Sequence, residues 1–92
     1  MTILRIINRG LDRAAYDAIT ARVDLERQHP LGLIMHGATE VDSIVQVAQV
    51  WESEEHARRF DEEHLNPVLQ GFGARVDAAD ITTFELHHLV TP

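Results

Sequence analysis

The sequence predicts an α+β domain whose six elements run β-α-β-β-α-β. Three observations carry that prediction. Runs rich in β-branched residues lie near both ends, at Ile3 to Asn8 and at Ile81 to Val90. Two stretches with apolar residues at helical spacing, one beginning at Asp12 and one at Ser53, separate them from the middle of the chain. Between those stretches, Leu33 to Thr39 and Ile44 to Glu52 read as a hairpin around the polar turn Glu40 to Ser43.

Each element follows from local chemistry. Ile3 to Asn8 forms the first strand, stopped by Gly10. Asp12 can cap the first helix, Asp12 to Arg27, in which Tyr16, Ile19 and Val23 recur on one side. His29, Pro30 and Gly32 end it, because proline bars the residue before it from helical geometry. Ser53 caps the second helix, with Glu54 and Glu55 in the first turn, where the helix dipole favours negative charge. Its apolar face is Ala57, Phe60, His64 and Val68, flanked by Leu65 and Leu69, and Pro67 should kink or end it. Gly71 to Asp80 reads as loop before the last strand.

This order is the split β-α-β, or ferredoxin-like, arrangement, with both helices on one face of an antiparallel sheet. In the third strand Ala48 and Val50 alternate with Val47, Gln49 and Trp51, so neither face is plainly solvent-like. A sheet apolar on both sides needs a second cover, and a second copy related by two-fold symmetry is the simplest one. The expectation is a homodimer of one-domain subunits spanning residues 1–92.

The composition narrows the function. A chain of 92 residues buries only roughly 65% of its unfolded surface, so its own core is thin. It has no cysteine, which removes thiol catalysis, disulfides and thiolate metal sites. The formal charge is −7, and Arg58 and Arg59 sit among carboxylates as a solvated helix face, so nucleic acid is not the expected partner. The opening MTILRIINRG is too short and too interrupted for a signal core or a membrane span, and the expected location is cytoplasmic.

The segments LGLIMHGA, VAQVWESEEHARRFDEEHLNPVL and ELHHLV, in this order and spacing, resemble the antibiotic-biosynthesis-monooxygenase-like (ABM-like) family of small dimeric α+β barrel proteins, particularly its actinobacterial members. GLDRAAYDAI is similar to the opening of their first helix. The resemblance implies a dimeric barrel with a cavity between the sheet and the helices or loops of each subunit. It also implies oxidation of polycyclic phenols or anthrones to quinones by O₂, without metal or flavin, so no cofactor is expected. A haem-degrading branch of the family uses an Asn, Trp and His set. Asn8 matches the first, but Phe60 and Gln70 stand where the other two are expected.

His36 and His87 match the family's pattern and are the candidate general bases, since an imidazole titrates near neutral pH. The alternative role for both is hydrogen bonding across strands. Gln49 and Trp51 share one strand face, and Thr83, Glu85 and His87 share another, so these residues are expected to line an apolar pocket carrying a few polar groups, suited to a small aromatic ligand. Arg5 is expected to pair with Glu85 or to hold a ligand oxygen, His64 to close the cavity, and Tyr16 to pack in the core with its hydroxyl at the rim. No metal site is expected, because the adjacent His87 and His88 would point to opposite faces of a strand and no spacing matches a ligand motif. The functional expectation is a cofactor-independent monooxygenase or related tailoring enzyme, against a non-catalytic dimeric binding module. An open pocket beside His36 and Trp51 would separate the two.

Overall fold

The computed structural model of the chain describes residues 1–91. Four strands, β1 (Ile3–Ile7), β2 (Leu33–Val41), β3 (Ile44–Trp51) and β4 (Ile81–Glu85), form one antiparallel sheet in the order β2-β3-β1-β4. Helices α1 (Arg13–Val23) and α2 (Leu25–Gln28) connect β1 to β2. Helix α3 (Glu54–Phe60), a π-helical turn (Asp61–Leu65) and α4 (Asn66–Gly71) connect β3 to β4 through a short 3₁₀ turn, Ala78–Asp80. This is the α+β ferredoxin-like fold that the sequence predicts. No helix among the described residues is long and apolar enough to cross a membrane.

Both expected caps are present. Asp12 accepts a hydrogen bond from the amide of Ala15 at 2.8 Å, and Ser53 accepts one from the amide of His56 at 3.2 Å. The first helix, however, breaks at Asp24, whose φ of 52° lies in the left-handed region that aspartate tolerates better than most residues. The hairpin is tighter than expected. Asp42 and Ser43 both have positive φ and make a two-residue turn whose twist suits the flanking strands, so β2 continues to Val41. Gly32 is required where it stands, with φ +88° and a hypothetical Cβ only 2.5 Å from the His56 ring.

In the second helix the distortion precedes the proline. Pro67 has no N–H to give and its ring crowds the carbonyl of Glu63, so the ladder widens to a π turn from Asp61 to Leu65 and α4 restarts with Pro67 in its first turn. At the C-terminal end the expected strand to Val90 stops at Glu85. Glu85 pairs with Ile3, the first residue of β1, and past it a single further bond, from the amide of Leu86 to the carbonyl of Thr2 at 3.0 Å, ties the segment to the sheet. His87 and His88 therefore lie beyond the sheet and are exposed.

The core lies between the sheet and the helices. Ile3, Ile19, Val23, Trp51, Phe60, Leu65 and Leu69 form its main cluster, and Ile7, Val45 and Val47 a smaller one. The opposite face of the sheet carries Leu4, Met35, Val50 and Phe84 in one cross-strand row and Ile6 and Ala48 in the next. Met35 and Phe84 are half exposed there.

Candidate functional site

Register aligns His36, Gln49, Arg5 and Thr83 across the four strands on the face that the helices cover. The polar groups of this row are ordered by a chain of hydrogen bonds. The indole N–H of Trp51 donates to Oε1 of Gln49 at 2.9 Å. Since indole can only donate, the Gln49 amide orientation is set and its NH₂ faces Nδ1 of His36 at 3.1 Å. Nδ1 must then accept, so the neutral ring carries its proton on Nε2. That N–H donates to the Tyr16 hydroxyl oxygen at 2.9 Å. The hydroxyl's own proton is left to point away from the chain.

Their surroundings favour the neutral forms of both His36 and Tyr16. Burial pushes His36 below its ordinary value of 6.5. Burial, and secondly the neighbouring Asp17 carboxylate, pushes Tyr16 above 10.0. Their rings lie almost parallel, 8° apart with centroids separated by 6.5 Å.

Tyr16 and His36 stand where an outer groove meets an inner pocket. The groove, about 590 Å³, runs between α1, α2 and β2 past Asp17, Thr20, Asp24 and Leu25. The pocket, about 40 Å³, shares Tyr16, Thr20, Leu25 and His36 with it and continues beneath the helices to Gln49, Phe60 and Arg9. A space of that size holds on the order of three waters or one small polar group.

Beside the row, Nη2 of Arg5 donates to Oδ2 of Asp61 at 2.6 Å, with both residues buried. The π turn opens at Asp61 and delivers its carboxylate to this position. Arg5 therefore pairs with Asp61 and not with Glu85, which is exposed on the edge strand.

Of the residues expected to share a site, His36 and Gln49 meet, with Trp51 directly behind them. Trp51 has no exposed surface and is not a pocket wall; it reaches the site only through Gln49. His87 is separated from it, because its segment has left the sheet. His64 is exposed and stacks on Phe60 with centroids 5.8 Å apart, lining a different surface pocket with His56 and Arg59. Of the set considered for haem chemistry, Asn8 accepts from the amide of Gly10, Phe60 is core and Gln70 is exposed. Among the described residues no group of three or more His, Asp or Glu side chains is placed to hold a metal ion.

Sequence reasoning placed Tyr16 in the core and did not give it a part in the site. The signal was present, since a tyrosine on an apolar helix stripe needs a partner for its hydroxyl. Arg9 carried no local signal at all.

No family model and no curated protein matches the sequence. Solved structures do match the fold. A conserved protein from Methanosarcina mazei Go1 superposes with a TM-score of 0.64 at 12% identity, over 91% of each chain. A heme-degrading protein from Mycobacterium tuberculosis matches with a TM-score of 0.56 at 17% identity, over 99% of this chain and all of its own. A cofactor-independent oxygenase from Streptomyces nogalater matches with a TM-score of 0.58 at 15% identity, over 99% of this chain and 95% of its own. At such identities the likeness is one of fold, and the chain shares the ferredoxin-like α+β architecture of all three.

Proposed function

We propose that the chain binds a small aromatic, polyketide-like molecule in the groove at Tyr16 and His36 and oxidises it with O₂ as a cofactor-independent monooxygenase. The observation that carries this reading is the hydrogen-bonded chain from Trp51 through Gln49 and His36, which ends in a hydroxyl proton offered at the mouth of the pocket. Such a donor suits a phenol or anthrone oxygen, whose negative charge grows as the substrate ionises. The oxidation of an anthrone methylene balances as R₂CH₂ + O₂ → R₂C=O + H₂O, with the substrate supplying the electrons. Tyr16 would hold the enolate oxygen, and the proton lost from carbon would pass to water in the groove. His36 holds Tyr16 in place in this scheme and does not itself take the proton, because Nε2 already carries one and Nδ1 is engaged by Gln49. A fold shared with a cofactor-independent oxygenase supports the reading, and the places of Asn8, Phe60 and Gln70 weigh against haem degradation.

A homodimer belongs to the same proposal. The uncovered sheet face, with Ile6, Met35 and Phe84 exposed, supports pairing with a second copy through that face.

The second reading is a non-catalytic binding module. It is favoured by the engagement of both His36 ring nitrogens within the protein and by the small inner pocket. Oxygen uptake with anthrone and dihydroxynaphthalene substrates, in the absence of added metal or flavin, decides between the two. The oxygenase reading expects turnover that falls about 10- to 100-fold in Tyr16→Phe, the range for losing a hydrogen bond to a charged oxygen. Ligand binding without oxygen uptake would leave the module.

A further inference from the structure

We propose that Arg9 is a seat for an anionic group, and that the ligand of the Tyr16–His36 site is an aromatic carboxylate. The inference rests on reading that site as a ligand site. Arg9 follows β1, is partly buried and lines the inner pocket with His36, Gln49 and Phe60. Its Nε and Nη2 atoms are buried and have no hydrogen-bond acceptor among the described residues. These two nitrogens form one edge of the guanidinium plane, the fork that grips both oxygens of a carboxylate.

The surrounding charges leave this cation unmatched. Nη2 of Arg5 takes Oδ2 of the buried Asp61, while its Nη1 is also buried without an acceptor among the described residues. Two guanidinium groups thus face one buried carboxylate. Burial is the main influence lowering the Arg9 pKa and Arg5 adds to it, whereas Asp61 and Asp80 oppose it from a distance without bonding to it. Natural interiors leave charged hydrogen-bonding groups unpaired so rarely that an orphaned fork on a pocket wall points to a partner from outside. The inner pocket has room on the order of one carboxylate, and the groove beyond Tyr16 and His36 has room for the ring that bears it.

The test needs no turnover. Calorimetric titration in low-chloride buffer compares 2-naphthoate with its neutral isostere 2-naphthamide. The wild type is expected to bind the carboxylate at least ~10-fold more tightly, the scale of a charge-assisted pair. Arg9→Gln should bring the two within about 2-fold of each other, and Arg9→Lys, which keeps the charge but loses the fork, should fall between. A purely structural role predicts a lower Tm for Arg9→Met, whereas a cation held for a ligand predicts an equal or higher Tm in the unliganded protein. Equal affinities in the wild type, no naphthoate binding at millimolar concentration, or a preference that survives in Arg9→Gln would each overturn the inference. Carboxylate preference without oxygen uptake sinks the oxygenase reading alone, and uptake with neutral anthrones but no such preference sinks this inference alone.

Discussion

The two faces of the sheet depart from an ordinary half-buried sheet in different ways, one setting polar groups within an apolar core and the other leaving apolar groups uncovered. The face beneath the helices carries a row of hydrogen-bonded polar side chains, His36, Gln49 and Arg5, with Trp51 and Asp61 beside them. The face without a helix carries Leu4, Ile6, Met35, Val50 and Phe84. Half-buried antiparallel sheets turn polar residues to water and apolar ones inward. Polar groups placed inside need complete hydrogen-bonding partners, which makes them informative about chemistry; apolar groups placed outside need a cover, which makes them informative about assembly.

The largest test of the inner face is its ion pair. Asp61→Ala leaves Arg5 buried without its counter-ion beside Arg9, and denaturant unfolding should show a loss of about 3–5 kcal/mol. Replacing both partners by apolar residues, in Arg5→Met with Asp61→Leu, should recover most of that loss, since the pair is far costlier to halve than to remove. If the single variant is as stable as the wild type, water already reaches the pair and the inner face is not sealed.

The outer face is tested by Phe84→Glu and Ile6→Glu. In an apolar interface between two copies each substitution would bury a carboxylate without a partner, and sedimentation should show association weakened at least ~100-fold with the monomer's circular dichroism unchanged. A wild-type chain that is monomeric at micromolar concentration removes the proposed homodimer altogether.

A smaller effect sharpens the account of the polar chain. Trp51→Phe removes the N–H that fixes the Gln49 amide, leaving Oε1 buried without its donor at a cost of about 1–3 kcal/mol. More telling is the imidazole. Nitrogen NMR should find His36 only in the Nε2–H form in the wild type and in both tautomers once Gln49 is free to turn. A single unchanged tautomer would mean that Trp51 does not set the chain.

How much of this was legible depends on the range of the interaction. Element types and caps were readable, because Asp12, Ser53 and the strand alternation act within a few residues. The break at Asp24 was not, since helical spacing continues through it and only the backbone's left-handed turn marks it. His36 and Gln49 were readable as candidates for one site, but not as a facing pair, because a four-residue turn from Glu40 to Ser43 sets His36 opposite Val47 and only the two-residue turn at Asp42 and Ser43 moves the register to Gln49. Their connection to Tyr16 was not readable, because it depends on how closely α1 approaches the sheet. That Arg5 needs a partner was readable, but that the partner is Asp61 and neither Glu85 nor a ligand oxygen was not, because a π turn that repositions Asp61 leaves no mark in the residue pattern beyond Pro67. The end of the last strand is unmarked as well, since the residue pattern of a strand runs on past Glu85 while its bonding to the sheet ends at the Leu86 amide on Thr2.

The smallest prediction concerns pH and follows from the burial of His36. Its folded pKa lies below the 6.5 of the unfolded chain, so above that pH both states hold the ring neutral and its contribution to stability is complete. As pH falls through 6.5 the unfolded state takes up the proton first, and stability drops until the folded ring is protonated as well. The slope attributable to this one group cannot exceed about 1.4 kcal/mol per pH unit. Subtracting the unfolding free energy of His36→Gln from that of the wild type between pH 7.5 and 5 cancels the remaining histidines and isolates it. A difference that declines with falling pH places a neutral imidazole between Gln49 and Tyr16, and a flat or rising one means that the ring is charged or solvated, which would dissolve the contrast between a helix-covered polar row and an open apolar face.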